Sequence, residues 1–400
     1  MKVVNRQSIV IVKGDGTRVW DDQGKDYLDF TAGWAVNNIG HANPVITEAI
    51  QSQASTLLQT SNQFFTIPQL QLAELLVENS CLDKVFFCNS GAEANEGAIK
   101  LTRKWGKINR QGPGQIITAY KSFHGRTMNM VAATAQPKYQ EAWAPIPTGF
   151  IHVDFDDISQ IKEATNEDTV AIMLEPVQSE GGGNIPSSDY LKMVKSWCDQ
   201  NNLLLILDEV STGLGRLGKL FGYQLFDVEP DVITLAKGLG GGVPIGAFLC
   251  NERANVLEPG DHGSTFGGNA LTCAASEAST RFIIDNNVPA NAETVGGYMK
   301  AQLDNLRLKH EIISDVRGIG CLIGVEFSAD IAAKLLSACN DNGLLLNVTG
   351  TNLVRWMPPL TVTKQEVDEA IEKFDKAIEI GGKNFEEFKV NEDQLRIESE

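Results

Sequence analysis

Lys237 follows a short apolar run, Val232-Ile233-Thr234-Leu235, and opens a turn that holds Gly238, Gly240, Gly241 and Gly242. A lysine at the end of a buried strand is costly as an ammonium. Desolvation penalises its charged form and drives the side chain toward a neutral, nucleophilic amine. The glycines leave room beside it for a bulky planar group. Upstream, the apolar stretch from Leu203 to Leu207 ends in Asp208 and Glu209. A carboxylate at the carboxyl end of a buried parallel strand lies at the crevice where α/β proteins bind ligands. Taken alone, the same residues also read as a solvated lysine on a flexible loop and two acids opening a surface turn.

Other candidates widen the choice of chemistry. Gly213-Leu-Gly-Arg-Leu-Gly218 matches the G-x-G-x-x-G of dinucleotide sites and does follow a strand. The residues after it, Lys219 to Tyr223, open no clear helix, and no acid ends a second strand at the required offset, which counts against a nucleotide site. The turn at Ser90 is a better anion site. Ser90 and Glu93 have capping-box spacing, and a glycine between strand and capped helix exposes N–H groups at the positive end of the helix dipole. Phe123 and Arg126 share a loop, offering a stacking face for a planar ligand and a guanidinium clamp for a carboxylate; His124 between them reads as structural. Glu180 lies in a glycine-rich loop. Arg355 follows a predicted strand and precedes Pro358 and Pro359. Either charge alone could be a surface residue.

The elements that must position these groups follow from patterning. Residues 10–30 alternate polar and apolar around GDG and DDQGKDY turns, predicting short antiparallel hairpins. Thr31 to His41 reads as a loop lining a site, and 44–58 and 68–77 as helices. From Val85 the chain alternates strands (85–88, 115–119, 171–174, 203–207) with helices (from the Ser90 turn to about 105, and 188–201), which predicts an α/β fold with a mostly parallel sheet covered on both faces. After Asn269 a helical run leads to a distinct C-terminal region, with a strand at 322–327, a helix near 331–341 and a strand at 344–348. The last twenty or so residues are acidic and weakly patterned, predicting a terminal helix with a frayed tail.

Composition narrows the function classes. The chain has 400 residues, 42% of them hydrophobic, and a formal charge of -17, which argues against a non-specific nucleic-acid or anionic-membrane binder. No apolar run reaches the ~18 residues of a membrane span, and the N-terminus lacks a signal-peptide pattern. Seven scattered cysteines, with no CxxC pair, fit small core residues in a reduced, cytoplasmic setting. No metal-ligand spacing stands out.

Together the motifs resemble those of the class III (ω-amino acid) aminotransferases of fold type I. The matching stretches are NSGAEANEGAIKLTRK, FHGRT, EPVQSEGG, DEVSTGLGRLGKLFGY, AKGLGGGVPIGA, HGSTFGGN and VRWMPPL, in the family's order from about residue 28 to 360. The resemblance implies a large PLP-binding α/β domain at 51–280 and a small α+β domain at 281–400 with an acidic tail, joined by the N-terminal segment 1–50. It implies pyridoxal 5'-phosphate (PLP) as cofactor. Lys237 would carry it as a Schiff base and, once freed, move the proton. Asp208 would pair with the pyridinium nitrogen. Ser90, Gly91 and Ala92 would hold the phosphate, with Thr265 reaching in from the second subunit of a homodimer. Phe123 and Val210 would sandwich the ring.

The same resemblance implies an amino donor and 2-oxoglutarate as alternating substrates. Arg355 would bind the α-carboxylate of glutamate, Arg126 the distal carboxylate or the donor's α-carboxylate, and Ser264 would line the substrate site. Glu180 would cover Arg355 when the donor reacts through a terminal amine. Two positions depart from the family's usual residues. Ser211 stands where glutamine is usual, beside the cofactor's phenolic oxygen, and Trp34 stands where a smaller residue or tyrosine is usual. The wording favours N-acetyl-L-ornithine as donor, over succinylornithine, ornithine or 4-aminobutyrate. A glutamate-1-semialdehyde type of aminomutase, which needs no Glu180–Arg355 gate, and a nicotinamide-dependent oxidoreductase, which would survive loss of Lys237, are the competing classes.

Overall fold

A computed structural model describes residues 1–397 except Gln111 and Pro113, with side chains through Ile380. Seven strands form its central sheet, in the order Lys84–Cys88, Gly246–Cys250, Val232–Leu235, Leu204–Asp208, Thr169–Leu174, Gln115–Ala119 and Phe150–Val153. Only Gly246–Cys250 runs antiparallel to its neighbours; the other ladders are parallel. The three middle strands are buried at every position, as strands covered on both faces must be.

The period of two in the strands feeds two separate apolar layers. Leu204 and Ile206 join Ala98, Leu101 and Trp105 of helix Gly91–Asn109. Leu205 and Leu207 join Leu191, Val194 and Cys198 of helix Tyr190–Gln200 on the opposite face. Five of the six strands that run the same way, all but Phe150–Val153 at the edge, carry the segments of the site at one end of the sheet: Asn89-Ser90, Tyr120 to Thr127, Glu175 to Gly183, Asp208 to Ser211, and Ala236-Lys237.

Two smaller sheets flank this core. The N-terminal hairpins Ile11–Asp15, Arg18–Asp21 and Asp26–Asp29 are antiparallel, and Leu344–Leu345 adds to them in parallel. The C-terminal sheet orders Ile313–Ile319, Leu322–Phe327, Leu353–Trp356 and Asn347–Thr349, all antiparallel. The strand expected at 344–348 is thus two strands in two sheets, because Leu344–Leu345 and Asn347–Thr349 find different partners on either side of Leu346. Arg355 lies inside a strand, not after one. The segment expected as a site-lining loop at 31–41 contains a helical turn, Ala32–Ala35, with Gly33 and Trp34 in left-handed conformations. A terminal helix runs Lys364–Ile397; the acidic side chains beyond Ile380 and residues 398–400 lie outside the described residues. All seven cysteines are free thiols, and all but the half-buried Cys81 are buried.

Candidate active site

A cavity of about 450 Å³ opens at the carboxyl end of the sheet, lined by Lys237, Asp208, the Ser90 turn and the Phe123–Arg126 loop. Its size suits a cofactor site. Lys237 leaves strand Val232–Leu235 with a left-handed φ of 44°, a conformation lysine rarely adopts and one that clusters at functional sites. Its Nζ donates a hydrogen bond to Ser211 Oγ. Desolvation lowers the amine's pKa below the ordinary lysine value; the carboxylates of Glu180, Asp208 and Glu175 oppose this without overcoming it, and Arg355 reinforces it. The side chain is partly exposed and lines this cavity.

Asp208 is 3% exposed. Its Oδ2 accepts from Asn95 Nδ2 and from His124 Nδ1, both at 2.8 Å, and its Oδ1 accepts from Val210 N at 3.0 Å. A carboxylate can only accept, so Nδ1 of His124 carries the shared proton. His124, read as structural, is the residue that orients this acid. Asn95 escaped sequence reading altogether; its signal was its place four residues after Gly91, on the helix face turned to the sheet.

Ser90 caps helix Gly91–Asn109, its Oγ accepting from Glu93 N at 3.2 Å. The capping box is only half as predicted. The Glu93 carboxylate reaches Asn89, accepting from its backbone N (2.9 Å) and its Nδ2 (2.8 Å). Gly91 and Ala92 occupy the first helical positions, whose N–H groups have no partner within the helix. The turn sits close against Gly246, where a Cβ would come within 2.3 Å of Ser90 O. Phe123 meets Tyr139 edge-on at 5.9 Å. The Arg126 guanidinium lies 3.9 Å over the Tyr139 ring and forms no ion pair among the described residues. Tyr139 had no sequence signal beyond its aromatic type.

Arg355, 3% exposed, pairs with Glu180 Oε1 at 2.9 Å. Burial alone would raise the Glu180 pKa, but the charges of Arg355 and Lys237 outweigh it and hold the carboxyl below its usual value. Behind the pair, Glu175 accepts from Phe123 N (3.0 Å) and Ser179 N (3.2 Å), so one buried side chain ties the loops of Phe123 and Glu180 together. Burial pushes its pKa up to about 7.

Glu180 and Arg355 are not part of the cavity lining, and neither are the expected positions Ser264, Thr265 and Trp34. Ser264 accepts from Asn89 Nδ2 at 3.1 Å, one residue behind the wall. Thr265 is exposed, its carbonyl accepting from Gln59 Nε2. Trp34 is 55% exposed, and Val36 takes its place on the wall. Val210, Ser211, Gly91 and Ala92 all line the cavity. The G-x-G-x-x-G stretch serves packing: Arg216 is fully buried and donates to Cys321 O, Pro358 O and Asn38 Oδ1, tying three chain segments together.

These groups fit PLP. A buried Asp208 with no lysine or arginine partner among the described residues suits a protonated ring nitrogen, and His124 Nε2 and Asn95 Oδ1 beside it are buried atoms without a hydrogen-bond partner among those residues. A capped helix start suits a phosphate, and a low-pKa lysine suits a carbonyl. The chain matches the class-III aminotransferase family over residues 2–378 and belongs to that family of PLP-dependent aminotransferases. It is 48% identical to acetylornithine aminotransferase of Methanocaldococcus jannaschii over 381 residues, covering 94% of this chain and 95% of that one. Among solved structures it is similar to ornithine aminotransferase of Toxoplasma gondii, with a TM-score of 0.92, 33% identity and coverage of 96% and 93%. It is also similar to acetylornithine aminotransferase of Elizabethkingia anophelis, with a TM-score of 0.86, 34% identity and coverage of 94% and 96%.

Proposed function

We propose that this protein transfers the terminal amine of N-acetyl-L-ornithine to 2-oxoglutarate, giving N-acetyl-L-glutamate 5-semialdehyde and glutamate, a step of arginine biosynthesis. The observation that carries the reading is the buried Glu180–Arg355 pair beside Lys237, with Arg126 unpaired at the cavity mouth. Two guanidiniums, one of them coverable, let one pocket alternate between a dicarboxylate and a donor with a single free carboxylate. The names of the similar proteins point the same way.

Bound PLP supplies the electron sink that makes a proton on the amine-bearing carbon acidic. The chain's own residues do the rest. Lys237 Nζ, whose pKa desolvation lowers, would bind the cofactor and, when free of it, would carry the proton away from that carbon. Ser211 Oγ accepts from the same Nζ and fixes its position. Asp208, oriented by His124 and Asn95, would pair with the cofactor's ring nitrogen and favour its protonated form. The Ser90-Gly91-Ala92 turn would hold the phosphate, and Phe123 and Val210 would lie against the ring. Arg126 takes the donor's α-carboxylate while Glu180 stays on Arg355. In the glutamate half-reaction Glu180 moves off, Arg355 takes the α-carboxylate and Arg126 the distal one. Ser264 supports this wall through Asn89.

The working form is a homodimer in the cytoplasm. Phe64, Phe65, Ile67, Leu70 and Phe266 form an exposed apolar surface, and a second copy covering it would bring Thr265 to the neighbouring phosphate site. Seven free thiols suit a reducing compartment, and no helix among the described residues is long and apolar enough to cross a membrane.

The test is a comparison of donors. Purified holoenzyme is mixed with N-acetylornithine, ornithine or 4-aminobutyrate, and the change in the cofactor's visible absorbance is followed. N-acetylornithine is expected to react with the highest kcat/KM; a clear preference for either other amine overturns the donor while leaving the aminotransferase.

A further inference from the structure

The guanidinium of Arg355 is held by more than Glu180. Leu353–Trp356 is sandwiched between Leu322–Phe327 and Asn347–Thr349, and its register sets Arg355 opposite Gly324 on one side and Asn347 on the other. The Gly324 side is filled by backbone, since a Cβ there would come within 2.4 Å of Gly182 O in the loop carrying Glu180. The side-chain partner therefore comes from the other flank. Asn347 Oδ1 accepts from Arg355 Nε at 3.1 Å and from Nη2 at 2.5 Å. Glu180 Oε1 accepts from the same Nη2, and Ser179 Oγ accepts from Nη1 at 3.3 Å.

A guanidinium has two forks that match a carboxylate: the side fork of Nε and Nη2, and the end fork of both terminal nitrogens. Asn347 occupies the side fork with one neutral oxygen. Release of Glu180 then frees the Nη2 side of the end fork, leaves only the neutral Ser179 hydroxyl on Nη1 for a carboxylate to displace, and leaves the cationic charge without a counter-ion. We propose that Asn347 is a positioning residue that sets the substrate specificity of the glutamate half-reaction, by presenting the end fork of Arg355 to the substrate's α-carboxylate while leaving its charge unneutralised. Its neutrality is as important as its geometry. An aspartate in its place would fill the same fork but bind the charge permanently, doing the work of Glu180 in both half-reactions. This inference rests on the reading of Arg355 as the α-carboxylate site.

The test compares Asn347→Asp, Asn347→Ala, Glu180→Gln, the double variant combining Asn347→Asp with Glu180→Gln, and Arg355→Met, all as holoenzyme. Kinetics of each half-reaction are measured, together with calorimetric binding of glutarate, a dicarboxylate with no reactive carbonyl or amine. Asn347→Asp is expected to weaken glutarate and lower kcat/KM for glutamate at least ~10-fold more than kcat/KM for N-acetylornithine, the size of a lost charge-assisted contact. Asn347→Ala, which frees the side fork but keeps the charge, should impair the glutamate half less than Asn347→Asp does. Glu180→Gln alone should harm the donor half-reaction, and the same change on the Asn347→Asp background should not, because the introduced carboxylate already supplies the counter-charge. Equal losses in both half-reactions for Asn347→Asp, or additive losses in the double variant, overturn the inference. If Arg355→Met itself spares glutamate and glutarate, the gate reading fails instead.

Discussion

The amine of Lys237 is held where an ammonium is costly, and that cost should be measurable in the stability of the chain as well as in its chemistry. Burial lowers its folded pKa below the ordinary value of 10.5. Between those two values the unfolded chain binds more protons than the folded one, so the cofactor-free protein should gain stability as pH rises through that window. Lys237→Met removes the titration. The variant should lose all transamination, yet be more stable to urea than the parent at pH 7 without cofactor, with the difference shrinking as pH approaches 10.5. Unfolding midpoints across pH read this directly; a parent that is the more stable of the two at pH 7 would show that the lysine is not destabilised. Lys237 and Asp208 were legible in the sequence because each ends an apolar run. Asn95 and His124, which orient Asp208, were not, because their contact joins a helix, a loop and a strand far apart in the chain.

At the scale of elements, the cavity is a set of loops leaving parallel strands, and single buried carboxylates hold those loops. Glu209 is the clearest case after Glu175. Its two oxygens accept from Gly222 N (2.5 Å) and Tyr223 N (2.7 Å), satisfying the first turn of the short helix Gly222–Leu225. Glu209→Gln sets an NH2 group against one of these donors. It should cost about 1–3 kcal/mol of stability, read as a lower thermal midpoint of the holoenzyme. The fold-level reading of the sequence served well here, because apolar runs, the Ser90 cap and turn glycines are local signals. It was weaker where one stretch supplies two sheets. Nothing local to 344–348 says that Leu344 pairs with Leu28 while Asn347 pairs with Arg355.

For the whole molecule, the exposed apolar surface belongs to the same structure as the site. Asn62 Nδ2 donates to Ser264 O (2.8 Å) and Gly267 O (3.0 Å), so the segment carrying Phe64 and Phe65 is fastened to the loop of Thr265. Phe65 is 86% exposed. If the proposed dimer forms through this surface, replacing Phe64 and Phe65 together by Asp should shift it toward monomer in sedimentation velocity and weaken PLP binding in parallel. Dimers that persist with unchanged cofactor affinity would place the interface elsewhere.

The sequence by itself determined the α/β class, the strand ends that carry Lys237 and Asp208, the helix cap at Ser90 and, through its motifs, the family. These depend on residue type and short spacing, which act over a few positions of chain. Only the tertiary structure decided that His124 serves Asp208, that Asn347 holds Arg355 beside Glu180, and that Trp34 stands outside the cavity while Val36 lines it. Such pairings depend on strand register and on loops brought together from distant segments, and no local preference encodes either.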